Sequence, residues 1–497
     1  MLESDLPQGA LGRIRRAFTY ENEEWKRRTD AGHPQGLLRP TFRTYARDDD
    51  SGEVRVARGA SRELEAVIGS AVEWLDDTGT SPVAWPPYTG ELWPFQLRAA
   101  SIAAVSVQGV VLGPCGSGKT EVMLAAAART GQRTLVVVDT KDLQRQWADR
   151  FRLRYDSRPG DLGIVGGMES EPDYDWEWAV RGAPGRVLTI ATVQTLRSRP
   201  EVHDAHGCLL ADEVHVWAAP TFDEAASTSR ARHRIGGTAT LRRADGLVKI
   251  ITDTFGPVLY EITAEELEAA GRRISVDVKL VRTSFRFDMK PRWRGGRIRT
   301  AGWDEVLDAM AADPSRHGLV METALRAARE GPTVVLSERR GYAFRIAREL
   351  KAAGVRTHSL FGGGAAKAAA CLRCGNVPET EEAGKRCGAC GAPRLSRSEH
   401  NAAVLRMIDA GDVRAAVGTS VADKGMDSPR LSRAVVALPS AGGRGKPVSA
   451  RLIQQVGRLS RPAEGKLDAI LYYVHDDKMG FGRDREKAML IEFGTLS

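Results

Sequence analysis

The feature that most constrains the fold is a glycine-rich segment between an apolar run and a helix-forming run. Residues 113–120 read Gly-Pro-Cys-Gly-Ser-Gly-Lys-Thr, directly after the apolar run 109–112 and directly before the run 121–128. This completes the pattern G-x-x-x-x-G-K-[ST]. Glycines let backbone N–H groups surround a phosphate chain, and a helix N-terminus attracts the same anion. The strand–loop–helix context therefore predicts a nucleoside triphosphate site rather than a chance glycine-rich turn.

Each position of this loop has an expected task. Lys119 would reach the β- and γ-phosphates, and the Thr120 hydroxyl would complete a Mg²⁺ shell. The remaining cofactor-binding positions are the backbone groups and side chains that surround the phosphates, namely Gly113, Gly116, Ser117 and Gly118. ATP and Mg²⁺ are the expected cofactors of such a loop.

A carboxylate pair follows a second apolar run, about ninety residues after the loop. The run Cys208-Leu-Leu-Ala leads directly into Asp212-Glu213-Val-His215. Asp212 would orient the metal, and Glu213 would polarise the attacking water as general base. An Asp-Glu pair is also common in solvated turns, but the apolar strand that runs into this pair argues against that interpretation.

The length and the order of elements predict tandem α/β domains. A chain of 497 residues is too long for one core, and strands that alternate with helices imply parallel sheets. We predict a small N-terminal α/β domain (1–85), a first parallel-sheet domain (86–275) and a second one (276–497). The predicted strands are 109–112, 134–138, 186–190, 208–211 and 234–237 in the first sheet, and 333–336, 355–360, 416–419, 434–438 and 469–474 in the second.

A pair of arginines in the second half suits an anion clamp. Arg458 and Arg461 lie three residues apart in Gln454-Gln-Val-Gly-Arg-Leu-Ser-Arg. On one helical face they could grip a γ-phosphate offered by a facing domain. Two exposed arginines on a surface helix explain the spacing equally well.

Taken together, these segments resemble the motifs of the superfamily 2 helicases. The matching segments, in chain order, are Gln96 (Q motif), residues 113–120 (motif I), 140–143 with Gln146 and Trp147 (Ia), 191–196 (Ib), 212–215 (II, a DExH box), 237–240 (III), 419–427 (V) and 454–461 (VI). All of them keep the family order between residues 92 and 461. The stretches 238–246 and 255–260 are similar to the XPB/UvsW-like branch.

The resemblance implies two RecA-like domains, ATP hydrolysis and a nucleic-acid track, with DNA repair as the typical setting. The implied catalytic residues are Lys119, Asp212, Glu213, Arg458 and Arg461; Gln96 and Asp427 would contact the nucleotide; and Thr192, Gln194 and Thr419 would contact the strand backbone. DNA is the expected partner, and RNA is not excluded by any residue. Three positions depart from the family pattern: Leu241 and Asp139 stand near places where proline is usual, and motif V reads Lys-Gly-Met-Asp at 424–427.

Four of the six cysteines lie within twenty residues of one another. Cys371 and Cys374, and then Cys387 and Cys390, form two C-x-x-C-G segments. This spacing predicts a structural Zn²⁺ site in an insertion at 368–396. A rubredoxin-like iron site is the chemical alternative. As to its role, a folded surface staple and a contact to DNA or a partner stay equally open.

A basic stretch near the predicted domain boundary is a second candidate for nucleic-acid contact. Residues 290–299 interleave arginines with an aromatic, and Arg292 and Trp293 suit phosphate contact and base stacking. A solvated connector is the competing interpretation. The formal charge of +8 is compatible with a polyanionic partner without requiring one.

Three functions compete at this stage. The leading prediction is an ATP-dependent DNA helicase or branch-migrating translocase. The alternatives are an ATPase that anneals or remodels strands without unwinding, and a slow ATP switch that binds nucleic acid. No apolar run approaches the length of a membrane span and the first residues lack a signal-peptide core, so we expect a cytoplasmic protein, nucleoid-associated in a cell, without a membrane partner.

Overall fold

The chain groups into two compact units. The computed structural model describes residues 1–30, 39–69, 76–114, 116–172, 174–216, 229–239, 241, 248–288, 292–294, 297–299, 302–360, 371–372, 386–387, 390–392, 395, 397–419, 428–439, 459–479 and 486. Residue contacts divide the chain into Met1–Glu266 and Leu267–Ser497. The finer divisions at 85/86 and 275/276, and the limits 368–396 of the cysteine insertion, stay predictions.

The N-terminal region combines three helices with two short antiparallel pairs. Its elements are α1 (Ala10–Ala17), β1 (Thr19–Glu21), α2 (Glu23–Asp30), β2 (Thr41–Arg43), β3 (Tyr45–Arg47), β4 (Val54–Val56) and α3 (Ser61–Ile68). β1 pairs with β2, and β3 with β4. A small core forms around Ile14, Phe18, Val54 and Leu64, each at most 2% exposed. The region is therefore mixed α/β, as predicted.

The first unit is built on a parallel sheet of eight described strands. The strands are β5 (Gln108–Leu112), β6 (Thr134–Val138), β7 (Leu162–Val165), β8 (Ala179–Arg181), β9 (Leu188–Thr192), β10 (Cys208–Ala211), β11 (His233–Thr238) and β12 (Val258–Glu261). The helices are α4 (Pro94–Val105), α5 (Lys119–Thr130), α6 (Lys141–Arg154), α7 (Val193–Ser198), α8 (Val248–Phe255) and α9 (Ala264–Ala269). The strand order is β12-β5-β11-β10-β6-β9-β7-β8.

Continuous apolar runs explain why these strands lie in the middle of a sheet. All five residues of β6 are buried, as expected where helices cover both faces of a parallel sheet. α6 begins where the Thr140 side chain accepts a hydrogen bond from the backbone N–H of Leu143. Trp147 and Phe151 then face the core, as their spacing predicts. The predicted strand 186–190 lies two residues later in the structure, in β9.

A buried carboxylate attaches the N-terminal region to α8. Asp253 is fully buried and accepts hydrogen bonds from Tyr20 Oη (2.6 Å) and Thr44 Oγ1 (2.7 Å). Lys249 Nζ donates to the other carboxylate oxygen at 2.7 Å. Gly59 approaches the last turn of α8 so closely that a Cβ there would collide with backbone atoms of residues 252–256. The contact is therefore tight and polar.

The second unit is built on a parallel sheet of six described strands. The strands are β13 (Val276–Thr283), β16 (Thr333–Leu336), β17 (Thr357–Leu360), β18 (Ala415–Gly418), β19 (Arg433–Val436) and β20 (Ala469–Asp476), and a separate antiparallel pair is formed by β14 (Arg292–Arg294) and β15 (Arg297–Arg299). The helices are α10 (Trp303–Ala312), α11 (Pro314–Glu330), α12 (Arg340–Ala352) and α13 (Arg397–Ala410). The order is β13-β20-β19-β16-β18-β17. Two parallel sheets confirm the predicted tandem α/β architecture.

An ion pair lies inside the second unit at the end of β20. Arg316 is 1% exposed, and its Nε donates to Asp476 Oδ1 at 2.8 Å. Thr283 Oγ1 donates to the same oxygen at 2.6 Å, and Arg316 Nη1 donates to the carbonyl of Ala437. These bonds join α11 to the ends of β13 and β20 within the second unit.

Among the described helices, none combines the length and the apolar character that crossing a bilayer needs.

Candidate nucleotide and nucleic-acid site

The predicted catalytic residues of the first unit follow strands that are neighbours in its sheet. The phosphate loop follows β5, Asp212 and Glu213 follow β10, and Thr238 ends β11, which lies between those two strands. All strands of this sheet are parallel, so these ends share one edge. Ligands of open α/β sheets bind at this carboxyl edge.

The phosphate loop is held by bonds from its own lysine. Lys119 Nζ donates to the carbonyl oxygens of Gly113 (2.8 Å) and Pro114 (3.2 Å). Gly118 has φ +75°, which places α5 so that it begins at Lys119. Ser117 Oγ is buried, and it has no hydrogen-bond partner among the residues that the structure describes. A buried hydroxyl without a partner is costly, and a phosphate oxygen would satisfy it.

Gln96 supports the loop from α4. Its Oε1 accepts from the backbone N–H of Trp93 (3.1 Å), and its Nε2 donates to the carbonyl of Ser117 (3.3 Å). Gly118 has a positive φ that favours glycine, and a Cβ there would displace Gln96 Nε2 from its present position. The structure thus places Gln96 against the loop; reading of adenine by this residue stays a prediction.

Asp212 lies buried between two donors. Trp147 Nε1 donates to Oδ2 at 2.7 Å, and the backbone N–H of Glu213 donates to Oδ1 at 2.9 Å. Burial first, and the neighbouring Glu213 carboxylate second, raise the pKa of Asp212 above its ordinary value, while the Trp147 bond opposes them. A nearby divalent cation would favour the carboxylate form.

Glu213 occupies a strained backbone position. Its φ is +50°, a backbone conformation that residues other than glycine rarely adopt. His215 Nδ1 lies 3.1 Å from Glu213 Oε2 and 3.0 Å from Thr238 Oγ1. The DExH segment is thus linked to the end of β11. Strain at a residue with a predicted chemical role is typical of active sites.

The residues present fit a magnesium nucleotide. The predicted metal ligands, the Thr120 hydroxyl and the Asp212 carboxylate, supply the hard oxygen ligands that Mg²⁺ prefers. Thr120 lies half-buried in the first turn of α5, one residue after Lys119. The Ser117 hydroxyl adds a donor for a phosphate oxygen.

The predicted nucleic-acid contacts differ in exposure. Thr192 is 5% exposed and its Oγ1 lies 2.8 Å from Thr195 Oγ1, whereas Gln194 is exposed. Thr419 is half-buried directly after β18. Arg292 and Trp293 lie on β14, and the structure describes only their backbone.

Of the predicted arginine pair, the described part of the chain includes Arg461 alone. Lys466 Nζ donates to the carbonyls of Leu459 (2.6 Å), Arg461 (2.8 Å) and Pro429 (3.0 Å). An ammonium group has three N–H donors, so these three acceptors use all of them. Lys466 therefore holds the backbone of Arg461. Arg458 and Asp427 lie outside the described residues.

Three of the four predicted zinc ligands lie together. The sulfur atoms of Cys371, Cys387 and Cys390 are all within 4.8 Å of one another, and those of Cys371 and Cys390 are 3.5 Å apart. Gly391, with φ +68°, donates its backbone N–H to the carbonyl of Cys387. Cys374 lies outside the described residues. The cluster suits a soft divalent metal such as Zn²⁺.

Sequence reasoning missed two polar contacts behind this edge. Trp147 was predicted as part of motif Ia and of an apolar helix face, and neither prediction includes the bond from its indole N–H to Asp212. Gln144, on the same helix, is buried and donates to carbonyls at the end of β7 and in the middle of β9. A polar residue inside an otherwise apolar helix stripe was the only available signal.

Comparisons with known proteins find similarity to one protein family and to XPB proteins. Residues 96–243 match the family described as Type III restriction enzyme, res subunit (ResIII). Over 237 residues the chain is 30% identical to the DNA 3'-5' helicase XPB of Mycobacterium tuberculosis, covering 45% of this chain and 41% of that protein. It is also 30% identical over 209 residues to the DNA 3'-5' translocase XPB2 of Sulfurisphaera tokodaii, covering 42% of this chain and 44% of that protein.

A solved structure with a similar fold covers more of the chain. The ATP-dependent Type ISP restriction-modification enzyme LlaBIII bound to DNA aligns with 81% of this chain and 30% of its own, with a TM-score of 0.53 and 13% identity. At that identity the likeness concerns the fold alone. The matched part of the chain spans less than half the length of the two curated relatives.

Proposed function

We propose that this chain, which carries a ResIII-type superfamily 2 helicase domain similar to the XPB helicases, is an ATP-driven motor on DNA. The observation that carries the proposal is the arrangement at one sheet edge. A phosphate loop, a buried metal-type carboxylate and a strained candidate base follow β5 and β10, with only β11 between these strands. Such a set serves hydrolysis of a nucleoside triphosphate.

Each of the predicted site residues has a separate role in the hydrolysis of ATP. Lys119 and the N-terminus of α5 bind the β- and γ-phosphates. Thr120 and Asp212 would hold Mg²⁺, which neutralises phosphate charge when bound. Glu213 takes a proton from the attacking water, whose oxygen bonds to the γ-phosphorus as the bond to the β-phosphate oxygen breaks. Arg461, with Arg458, stabilises the transition-state charge.

The strand is gripped through its backbone. Thr192, Gln194 and Thr419 contact phosphates, with Arg292 and Trp293 as a basic and stacking element, so binding is largely independent of sequence and weakens with salt. DNA is favoured over RNA because the XPB relatives are named DNA helicases and a DNA translocase. Such a motor would work in the cytoplasm, at the nucleoid in a cell.

Two modes of action fit such a motor. A helicase or branch-migrating translocase opens duplexes, whereas a remodelling ATPase anneals strands or displaces proteins without opening them. A strand-displacement assay separates the two, because only the first releases a labelled strand. The relatives' printed names favour the first mode.

We also propose that Cys371, Cys374, Cys387 and Cys390 bind one structural Zn²⁺. The support is the cluster of three sulfurs and the tight turn at Gly391. Metal analysis of the purified protein should find one zinc per chain, which Cys387→Ser should reduce strongly. Iron in place of zinc, or a wild-type protein without metal, would contradict this assignment.

The deciding experiment measures ATP hydrolysis without nucleic acid and with single-stranded DNA, duplex, forked DNA and RNA. We expect strong stimulation by DNA, loss of activity in Lys119→Ala, and wild-type activity in Lys351→Ala, which changes an exposed lysine on α12. A rate indifferent to every nucleic acid would exclude the motor and leave the ATP switch. Stimulation by RNA alone would reassign the substrate.

A further inference from the structure

Helix α6 carries two buried polar side chains that bind different parts of the first unit. Gln144 and Trp147 are both fully buried and lie three residues apart, which places them on one helical face. Burying an amide and an indole N–H is favourable only if each is hydrogen-bonded. Their partners therefore show what this helix face holds in place.

Trp147 bonds to the metal-type carboxylate. Its Nε1 donates to Asp212 Oδ2 at 2.7 Å, while the other oxygen accepts from the backbone N–H of Glu213. The indole N–H is a donor only, so the bond fixes which oxygen turns toward α6. The orientation of Asp212 thus depends on the position of α6.

Gln144 bonds to the neighbouring loop and strand end. Its Nε2 donates to the carbonyls of Ile190 (2.9 Å) and Val165 (3.3 Å), and its Oε1 accepts from the backbone N–H of Met168 (2.8 Å). A Cβ on Gly167 would collide with Gln144 Oε1 and lie 2.8 Å from Thr192 Cγ2. Gln144 therefore holds the segment packed against Thr192, a predicted strand contact.

We propose that α6 couples the polynucleotide contacts to the metal site, with Trp147 positioning Asp212 and Gln144 positioning the segment 165–168 against Thr192. The two buried polar anchors lie one turn apart on the same rigid helix, so a shift of the loop is transmitted to the carboxylate. The inference rests on the proposed function for its nucleic-acid half, while the Trp147–Asp212 half requires only magnesium nucleotide binding.

The metal half is tested by equilibrium binding of a fluorescent, non-hydrolysable ATP analogue at increasing Mg²⁺. Trp147→Phe removes the N–H and keeps most of the ring. We expect its half-saturating Mg²⁺ concentration to rise about tenfold, as for other residues that orient metal ligands. The matched control is Trp178→Phe, which alters another buried tryptophan that packs against Phe151 of α6 and leaves Asp212 untouched. An unchanged Mg²⁺ midpoint in a folded Trp147→Phe protein overturns the assignment.

The coupling half compares analogue affinity with and without single-stranded DNA. Wild-type protein should show at least about a fivefold change, and Gln144→Met and Trp147→Phe should bring that factor within about twofold of one. Variants that keep the wild-type factor overturn the coupling. A wild-type affinity indifferent to DNA overturns the coupling alone, because the ATP hydrolysis measurement decides the proposed function separately, and the Mg²⁺ result still decides the role of Trp147. Thermal unfolding of each variant checks that it is folded.

Discussion

The two parallel sheets carry different chemistry at the same edge. In the first unit the strand ends lead into a glycine loop, a carboxylate pair and a residue with φ +50°. In the second unit β13 ends at Thr283 and β20 ends at Asp476; Thr283 donates to Asp476, which also accepts from Arg316. The fold therefore provides an edge, and the residues that follow each strand decide whether it binds a ligand.

The hydrogen bonds at the strand ends show this difference between the two units. Ser117 Oγ of the first unit is buried and has no hydrogen-bond partner in the described part of the chain, so the edge keeps a donor for a ligand. Asp476 of the second unit accepts from Arg316 Nε, Arg316 Nη2 and Thr283 Oγ1. The first edge thus keeps a group for a ligand, whereas the ends of β13 and β20 in the second unit are satisfied internally and stabilise that unit.

The largest expected effect is at the reactive edge. Glu213→Gln should lower kcat for ATP by about 10²–10⁴-fold, because it removes the proposed general base, while ATP affinity stays close to wild type. Steady-state kinetics and analogue binding measure the two quantities. Glu177→Gln, at an exposed position of the same unit, is the control, and a Glu213→Gln protein with normal kcat would remove Glu213 from the mechanism.

The next effect is at the satisfied edge. Arg316→Met should destabilise the second unit by about 3–5 kcal/mol, because it leaves the Asp476 carboxylate buried without its cation. Denaturant unfolding followed by circular dichroism measures the loss. The double variant Arg316→Met/Asp476→Leu should recover part of it, since neither charge is then buried alone. A double variant no more stable than the single one would show that the pair is not the source.

A smaller effect depends on pH and belongs to the first unit. Burial, followed by the charge of Arg234, lowers the pKa of His203 to about 4, and neither ring nitrogen bonds to another described residue. An unfolded histidine titrates near about 6.5. The contribution of His203 to stability is therefore full above that pH and is lost as pH falls toward 4, by up to about 3 kcal/mol.

Unfolding measured at several pH values between 7.5 and 4.5 tests this dependence. His203→Leu should show a flatter loss of stability on acidification than wild type. A variant with the same slope as wild type would assign the acid sensitivity to other groups, such as His206, whose pKa burial also lowers to about 4.

The smallest expected effect concerns Lys466 in the second unit. Lys466→Met removes donors to three carbonyls near Arg461 and should cost about 1.5 kcal/mol of stability, with a decrease in kcat of a few fold. Lys466→Arg should not restore kcat, because a planar guanidinium does not reproduce a compact ammonium with three acceptors. Kinetics of both variants beside wild type decide this, and a full rescue by arginine would show that charge alone matters.

Local patterns predicted much of the architecture. Apolar runs located strands such as β6 and β16, and the glycine loop and the Asp212–Glu213 pair indicated the site because their spacing is set by the chain itself. β12 and β13 were among the strands missed, since no residue of 258–261 is buried and only part of 276–283 is, which gives no clear alternation. The order of the strands within each sheet could not be predicted either, because one buried apolar strand looks like another in the sequence.

Contacts between distant residues could not be predicted. The bonds Trp147–Asp212, Tyr20–Asp253 and Arg316–Asp476 join residues 65, 233 and 160 positions apart. Periodicity describes which face of an element is apolar, and says nothing about which polar group it meets across the core. In the sequence, therefore, nothing distinguished these residues from their neighbours in the same helix, strand or loop.

The attachment of the N-terminal region to α8 determines where this chain can be cut or recombined. A fragment that begins at residue 76 would keep Asp253 but lose the Tyr20 and Thr44 hydroxyls that satisfy it. A chimera that takes the N-terminal region from a relative needs the matching α8 as well. For protein engineering, residues 1–69 and 248–255 are thus one exchangeable part, although nearly two hundred residues of sequence separate them.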